Sequence, residues 1–257
     1  MVSIRKVVLK GMVLLAILFW FDFCPAQNSN VKVLVLAERG GQHEAFVVAA
    51  LDWLNLFAAA HQMEIKVVNH ASNLDTEFLS GFQLILQLNY PPYIWAEKSM
   101  AAFVDYIERG KGGWIGFHHA TLLGEFDGYP MWNWFSDFMG GIRFKDYIAA
   151  TAAGMVMVED TQHPVMHGVS PTFIIPDDEW YTFDKSPRPN VHVLASVDES
   201  SYQPPSSIKM GDHPVVWVND KMKARNVYFL MGHSPNLFKS EEFKKMFGNA
   251  LKWASGK

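Results

Sequence analysis

The first half of the chain alternates short, almost continuously apolar runs with segments in which apolar residues recur every three or four positions. Residues 31–37 (VKVLVLA), 65–68 and 82–88 (FQLILQL) read as strands, and residues 44–61 and 95–109 as helices. Gly110 stops the second helix before a further strand, GGWIGF, which runs up to His118. Strand and helix in alternation predict parallel βαβ units, and strands apolar on both sides predict a sheet covered on both faces. The second half is less regular. Residues 154–158, 191–197, 215–218 and 227–231 are β-like, separated by loops rich in Pro and Gly, and are expected to extend or flank the central sheet. Residues 202–211 read as a mobile loop within the same domain. At the end, Ser240 before Glu241 and Glu242 reads as a helix start, and Phe243, Met246, Phe247, Ala250, Leu251 and Ala254 recur at helical spacing.

One segment stands outside this alternation. Arg5, Lys6 and Lys10 precede an apolar run at 12–21 that Asp22 ends, and Ala26 offers a small residue for cleavage before Gln27. The run is shorter than the ~20 residues a membrane span needs. The expectation is a signal peptide at 1–26, a single α/β domain at 27–257, and a periplasmic or secreted product with no stable membrane insertion after cleavage. An uncleaved signal anchor and lipid attachment at Cys24 are the alternatives. Cys24 is the only cysteine, so the mature chain would hold no disulfide, no thiolate ligand and no cysteine nucleophile. A formal charge of −4 without a basic run beyond the signal gives no reason to expect nucleic acid or anionic membrane as partners. No Gly-rich dinucleotide fingerprint or P-loop occurs, so no nucleotide cofactor is expected. Oligomeric state is left open.

In open parallel sheets ligands gather beyond the carboxyl ends of the strands. His43, His118 and His233 each fall at or just after such an end, so three distant segments deliver imidazole to one rim. His118 and His119 sit in a small-residue turn, Gly116-Phe117-His118-His119-Ala120, of the kind that exposes a functional side chain at a strand end. Of the two, His118 is the expected functional residue and His119 the supporting one. In Asp177-Asp178-Glu179-Trp180-Tyr181, aromatics directly after three acids predict partial burial, where a carboxylate needs a metal or an imidazolium as partner. Glu179 and Tyr181 share a side if that segment is extended. Gly40-Gly41 reads as a turn. His163 and His213, each before Pro, read as turn formers, and His61, His70, His167 and His192 as structural; Trp132, Trp134 and Phe135 read as core rather than as a sugar platform.

The segments GGWIGFHHA, DTQHPVMHG, DDEWYTF, HPVVWV and ARNVYFLMGHS, in this order, resemble the ThuA-like (trehalose utilisation) family over nearly all of the mature chain. The resemblance implies a flavodoxin-like fold of the class I glutamine amidotransferase type, with a mostly parallel sheet flanked by helices, and a role in sugar catabolism. It places the family's Gly-x-His turn on Gly116, Phe117 and His118, its His-Pro loop on His163 and Pro164, its Asp-Glu-x-Tyr on Asp178, Glu179 and Tyr181, and its Gly-His on Gly232 and His233; the early histidine corresponds to His43. Two departures stand out. Residues 142–147 (IRFKDY) replace a His-Pro pair usual after Gly140-Gly141, which withdraws support for a ligand from that loop, and Ala224 replaces a glycine in a turn. A glutamine amidotransferase needs a thiolate where His118 stands, so amidotransfer is excluded.

Three functions are compatible with these residues. In the first, a divalent metal such as zinc is held by some of His43, His118, Glu179 and His233, polarises an oxygen of a small carbohydrate substrate, and Tyr181 or His119 supplies a proton, in a hydrolase, lyase or isomerase reaction. In the second, His118 and His233 act without metal as an acid/base pair oriented by Glu179. In the third, the chain is a non-catalytic, exported sugar-binding module.

Overall fold

A computed structural model describes residues 30–148 and 150–256, so the expected signal peptide and Cys24 lie outside the described residues. Strands β1 (Val31–Ala37), β2 (Met63–Val68), β3 (Leu84–Leu88) and β4 (Gly113–Phe117) are connected by helix α1 (Glu44–Ala60), the single turn α2 (Thr76–Leu79) and helix α3 (Glu97–Glu108). There follow α4 (Asn133–Phe138), β5 (Phe144–Tyr147), β6 (Ala152–Val158), β7 (Thr172–Asp178), β8 (Tyr181–Phe183), β9 (His192–Gln203), β10 (Pro214–Val218), β11 (Asn226–Phe229) and α5 (Glu241–Ala254). Nine strands form one sheet in the order β2-β1-β3-β4-β11-β10-β9-β6-β7, and β5 pairs with β8 in a separate ribbon. The pairings from β2 through β11 are parallel and those from β11 to β7 antiparallel. The flavodoxin-like α/β arrangement is thus present, and the irregular second half extends it by antiparallel strands.

The apolar runs are buried on both faces because helices cover both. Side chains three apart on a strand point to opposite faces, and Phe117 and Trp114 mark the two. Phe117 packs on Phe247 of α5 at 5.0 Å between ring centroids, and Trp53 of α1 stacks on Phe247 at 4.7 Å. On the other face Trp114 meets Phe138 of α4 at 5.0 Å, and Phe103 of α3 stacks on Phe135 at 5.8 Å. Trp132 and Phe135 are buried in this second layer, with Trp134 packed against it, and so belong to the core as read. Ser240 caps α5 by accepting a hydrogen bond from the Phe243 N–H.

Three sequence readings need correction. Residues 171–183 were not expected as strands. Pro176 argues against a strand, yet β7 is the outermost strand of the sheet, where a missing N–H costs nothing. Residues 202–211 do not form a free loop: Tyr202 is buried within β9, and Glu199 accepts the backbone N–H groups of Met210 and Gly211. His213 is no mere turn former: it is buried, with Nδ1 2.8 Å from Glu199 Oε1 and Nε2 2.8 Å from the Tyr181 carbonyl oxygen. Among the described residues no helix is long and apolar enough to cross a membrane.

Candidate functional site

Strand order reverses between β1 and β3, since β2 lies on the far side of β1, and the carboxyl ends of the parallel strands open toward one rim. β1 leads to Glu38 and, through the Gly40-Gly41 turn, to His43 at the start of α1; β4 leads to His118 and His119; β11 leads through Leu230 to His233. Glu179 arrives from the antiparallel side, between β7 and β8. The fold brings His43, His118, Glu179 and His233 together, with one ligand atom of each lying within 4.8 Å of all the others. Glu38, His43 and His119 form a second, overlapping group under the same limit.

His118 is held hard. It adopts a left-handed backbone, φ 42°, immediately after the strand, which is a strained conformation for a residue with a Cβ. Its side chain is fully buried and lies 3.9 Å from the Tyr181 ring, centroid to centroid. Gly232 permits this packing, because a Cβ there would sit 2.8 Å from the His118 Cβ. The Leu230 carbonyl lies 2.9 Å from His118 Nδ1 and can only accept, so Nδ1 carries the hydrogen. The other nitrogen, Nε2, then presents a lone pair, and it faces Glu179 Oε2 at 3.3 Å. Two acceptors confront one another.

The remaining electrostatics sharpen that conflict. Burial, with the neighbouring imidazoles, drives His43 down to about 2, and burial outweighs Glu179 to bring His118 down to about 4. Both rings are therefore neutral near pH 7. Burial works against ionisation of Glu179, but the His118 and His233 rings beside it hold its carboxyl down at about 2. His43 Nε2 and His233 Nδ1 are buried without a hydrogen-bond partner, and His233 Nδ1 lies 3.6 Å from Glu179 Oε2. Imidazole nitrogens from three chain segments thus converge on one carboxylate. Metal–ligand distances of about 2.0–2.1 Å put tetrahedral ligand atoms roughly 3.4 Å apart, close to the 3.3 and 3.6 Å measured around Glu179. The group could hold a divalent metal.

Two acids that the sequence reading did not place in the site support it. Glu38 accepts from His119 Nδ1 at 2.9 Å and lies 3.8 Å from His43 Nδ1. It is the first residue past β1, so the strand-end rule applied to the histidines would have found it. Asp178, fully buried, accepts the backbone N–H groups of Gly232, His233 and Ser234 at 2.8, 2.9 and 3.2 Å, and so fixes the loop that carries His233. The family's Asp-Glu-x-Tyr motif falls on this anchor and passes over Asp177, which binds Ser234 Oγ and the Asn236 amide instead. Glu179 and Tyr181 both meet His118, as expected for one side of an extended segment. By contrast, a cleft of about 440 Å³, lined by Pro164, Asn249 and Trp253, lies by the carboxyl end of α5. That end packs at the amino edge of the sheet, where Arg225 binds the Trp253 carbonyl, and is remote from this chemistry.

The family model described as trehalose utilisation (ThuA) matches residues 32–254. The chain belongs to the ThuA family. Membership brings a carbohydrate-related role, the coarse function that the strand-end residues alone left open. The chain is similar to a ThuA-like protein of known structure from Bacteroides uniformis, with 27% identity and a TM-score of 0.79 over 89% of this chain and 93% of that one. A ThuA-like protein from Parabacteroides merdae shares the fold at 17% identity, TM-score 0.67, over 89% and 91% of the two chains. A carbohydrate deacetylase, Agd3, also shares the fold, at 11% identity and TM-score 0.58, this chain covering 32% of its length. A search of curated proteins gives no match.

Proposed function

We propose that this ThuA-family chain is an exported, metal-assisted enzyme of carbohydrate metabolism, acting on a sugar, glycoside or keto-sugar, with His43, His118, Glu179 and His233 as metal ligands and zinc as the leading ion. The observation that carries the reading is the convergence on Glu179: His118 Nε2 faces the carboxylate while its Nδ1–H is committed to Leu230, and His43 Nε2 and His233 Nδ1 have no hydrogen-bond partner. Neutral imidazoles with one carboxylate are a common catalytic zinc set, and three of these four residues holding the ion would leave the fourth position for water or a substrate oxygen. When bound, the ion would polarise that oxygen.

The chain's own groups supply the rest. Leu230 fixes the His118 tautomer, and Asp178 fixes the His233 loop. Burial raises the Tyr181 phenol far above its ordinary value, so it stays protonated and acts as a hydrogen-bond donor. Proton transfer falls to His119, whose Nδ1–H is held by Glu38 and whose Nε2 is left as the basic nitrogen. Export rests on the basic residues Arg5, Lys6 and Lys10 ahead of the apolar run at 12–21.

A metal-free acid/base reading has one observation in its favour: although burial opposes it, Glu179 holds the His233 imidazole above its ordinary value. Metal analysis separates the two. Purified protein should carry about one equivalent of a divalent transition metal, and His118→Ala and His233→Ala should lose both metal and turnover across glycosides, keto-glycosides and acylated sugars. Full activity in protein stripped of metal would overturn the metal reading and leave the acid/base pair.

A further inference from the structure

A continuous trail of aromatic rings leads outward from the His–Glu cluster. Tyr181, against His118, is followed by Phe144 at 4.9 Å, and Phe144 in turn by Tyr147 at 6.5 Å and Phe126 at 6.1 Å. Phe126 meets Tyr93 at 5.2 Å, and Tyr93 meets Tyr129 at 6.0 Å. Tyr129 and Tyr147 are 48% and 43% exposed, while Tyr93, Phe126 and Phe144 are half-buried beneath them. Exposed tyrosines over half-buried rings, joined by ring contacts to the His–Glu cluster, offer a binding surface.

The platform is built in place. Phe126 and Tyr129 exchange both backbone hydrogen bonds, and Asp127 and Gly128 between them have φ 52° and 82°, the geometry of a two-residue type I′ hairpin. Tyr147 stands directly opposite Tyr181 in the β5–β8 ribbon. Carboxylates act on these rings: burial, then Asp127 and then Glu38, raise the Tyr93 phenol. Flat rings interspersed with carboxylates suit a pyranose, whose faces are apolar and whose rim is hydroxylated.

We propose that Tyr93, Phe126, Tyr129, Phe144 and Tyr147 form a second sugar subsite, so that the substrate is a disaccharide or longer carbohydrate, one ring reaching the His–Glu cluster and the next stacking on this platform. The inference rests on the carbohydrate reading above. Phe126 and Tyr147 lie two ring contacts out from Tyr181, so a sugar unit on them is a different unit from the one whose oxygen meets Glu179 and the imidazoles.

Calorimetric titration of the purified chain with glucose, maltose, cellobiose and trehalose tests the proposal. At least one disaccharide should bind about tenfold more tightly than glucose. Tyr147→Ala and Tyr129→Ala, each an exposed ring whose loss leaves Tm and metal content unchanged, should abolish that preference while leaving glucose affinity alone. Equal affinity for glucose and all three disaccharides, binding to none of the four, or an unchanged preference in both variants would overturn it. Should the protein prove metal-free and still lose its disaccharide preference on Tyr147→Ala, the metal reading fails and the subsite stands.

Discussion

Gly232→Ala tests how tightly the two central parallel strands pack the site. The new methyl would lie 2.8 Å from the His118 Cβ, 3.2 Å from Asn89 Oδ1 and 3.3 Å from the Phe117 Cβ. The first of these is about 0.6 Å inside ordinary contact at 3.4 Å, the kind of overpacking that forces neighbours to move. None of the three neighbours is the free end of a flexible side chain. His118 is pinned by the Leu230 carbonyl and the Tyr181 ring, Asn89 donates to the Gly232 carbonyl, and Phe117 is stacked on Phe229 at 5.0 Å. Overpacking of this kind costs about 1–3 kcal/mol, a fall in Tm of roughly 2–12 °C for a chain of this size. The effect on metal binding should be larger than the effect on stability, because coordination distances tolerate about 0.2 Å and the displacement of His118 exceeds this. Thermal melting and metal quantification on the same samples read both, with Gly81→Ala as control, where a Cβ meets only the Phe78 carbonyl at an ordinary 3.5 Å. A Gly232→Ala protein that melts with wild type and keeps its metal would refute the argument that β4 and β11 hold His118 by close packing.

Other outcomes follow from the same geometry. Glu179→Gln removes the only charge of the ligand set but lets an amide N–H donate to the His118 Nε2 lone pair; metal affinity should fall at least tenfold, while the chelator-treated variant should melt no lower than chelator-treated wild type. At Glu199 burial works to raise the carboxyl, but His213 and the N–H groups of Met210 and Gly211 hold it below its ordinary value. A depressed folded-state value gives stability that is present above the unfolded value, about 4.3, and is lost as pH falls through the folded one. The stability gap between wild type and Glu199→Gln, read from denaturant midpoints, should therefore be constant near pH 6–7 and shrink below about pH 4. Ser240→Ala removes the cap of α5 and should cost about 1 kcal/mol in urea unfolding, with metal content unchanged.

Much of the fold was legible because local pattern and tertiary role agree in its first half. β1 was read with its observed bounds, and the last helix with its cap, since an apolar run between glycines or a 3.6-residue stripe after Ser-Glu-Glu has few alternative uses. The antiparallel extension was less legible because its strands are short, edge-bound or interrupted by proline, as at Pro176, and their pairing partners lie far along the chain. His43, His118 and His233 were named from strand ends, and Glu179 from the acidic run ahead of two aromatics. Glu38 was legible by the strand-end rule and overlooked, whereas Asp178 was marked by the family motif but its role was not, because that role depends on three N–H groups more than fifty residues away.

The sequence by itself determined which residues can carry chemistry and which edge of the sheet presents them, because strand ends follow from local patterning and a βαβ order puts like ends on one rim. It also determined that residues 32–254, which match the family, hold no cysteine. Tertiary contacts decided that four of those residues meet at one point with His118 committed to a backbone carbonyl on one side, and that Phe144, Tyr147 and Phe126 continue the ring contacts outward from Tyr181. Tautomer, burial and ring packing are properties of contacts between segments that pattern alone does not join, and they turn four histidine and glutamate positions into one cluster able to hold a metal.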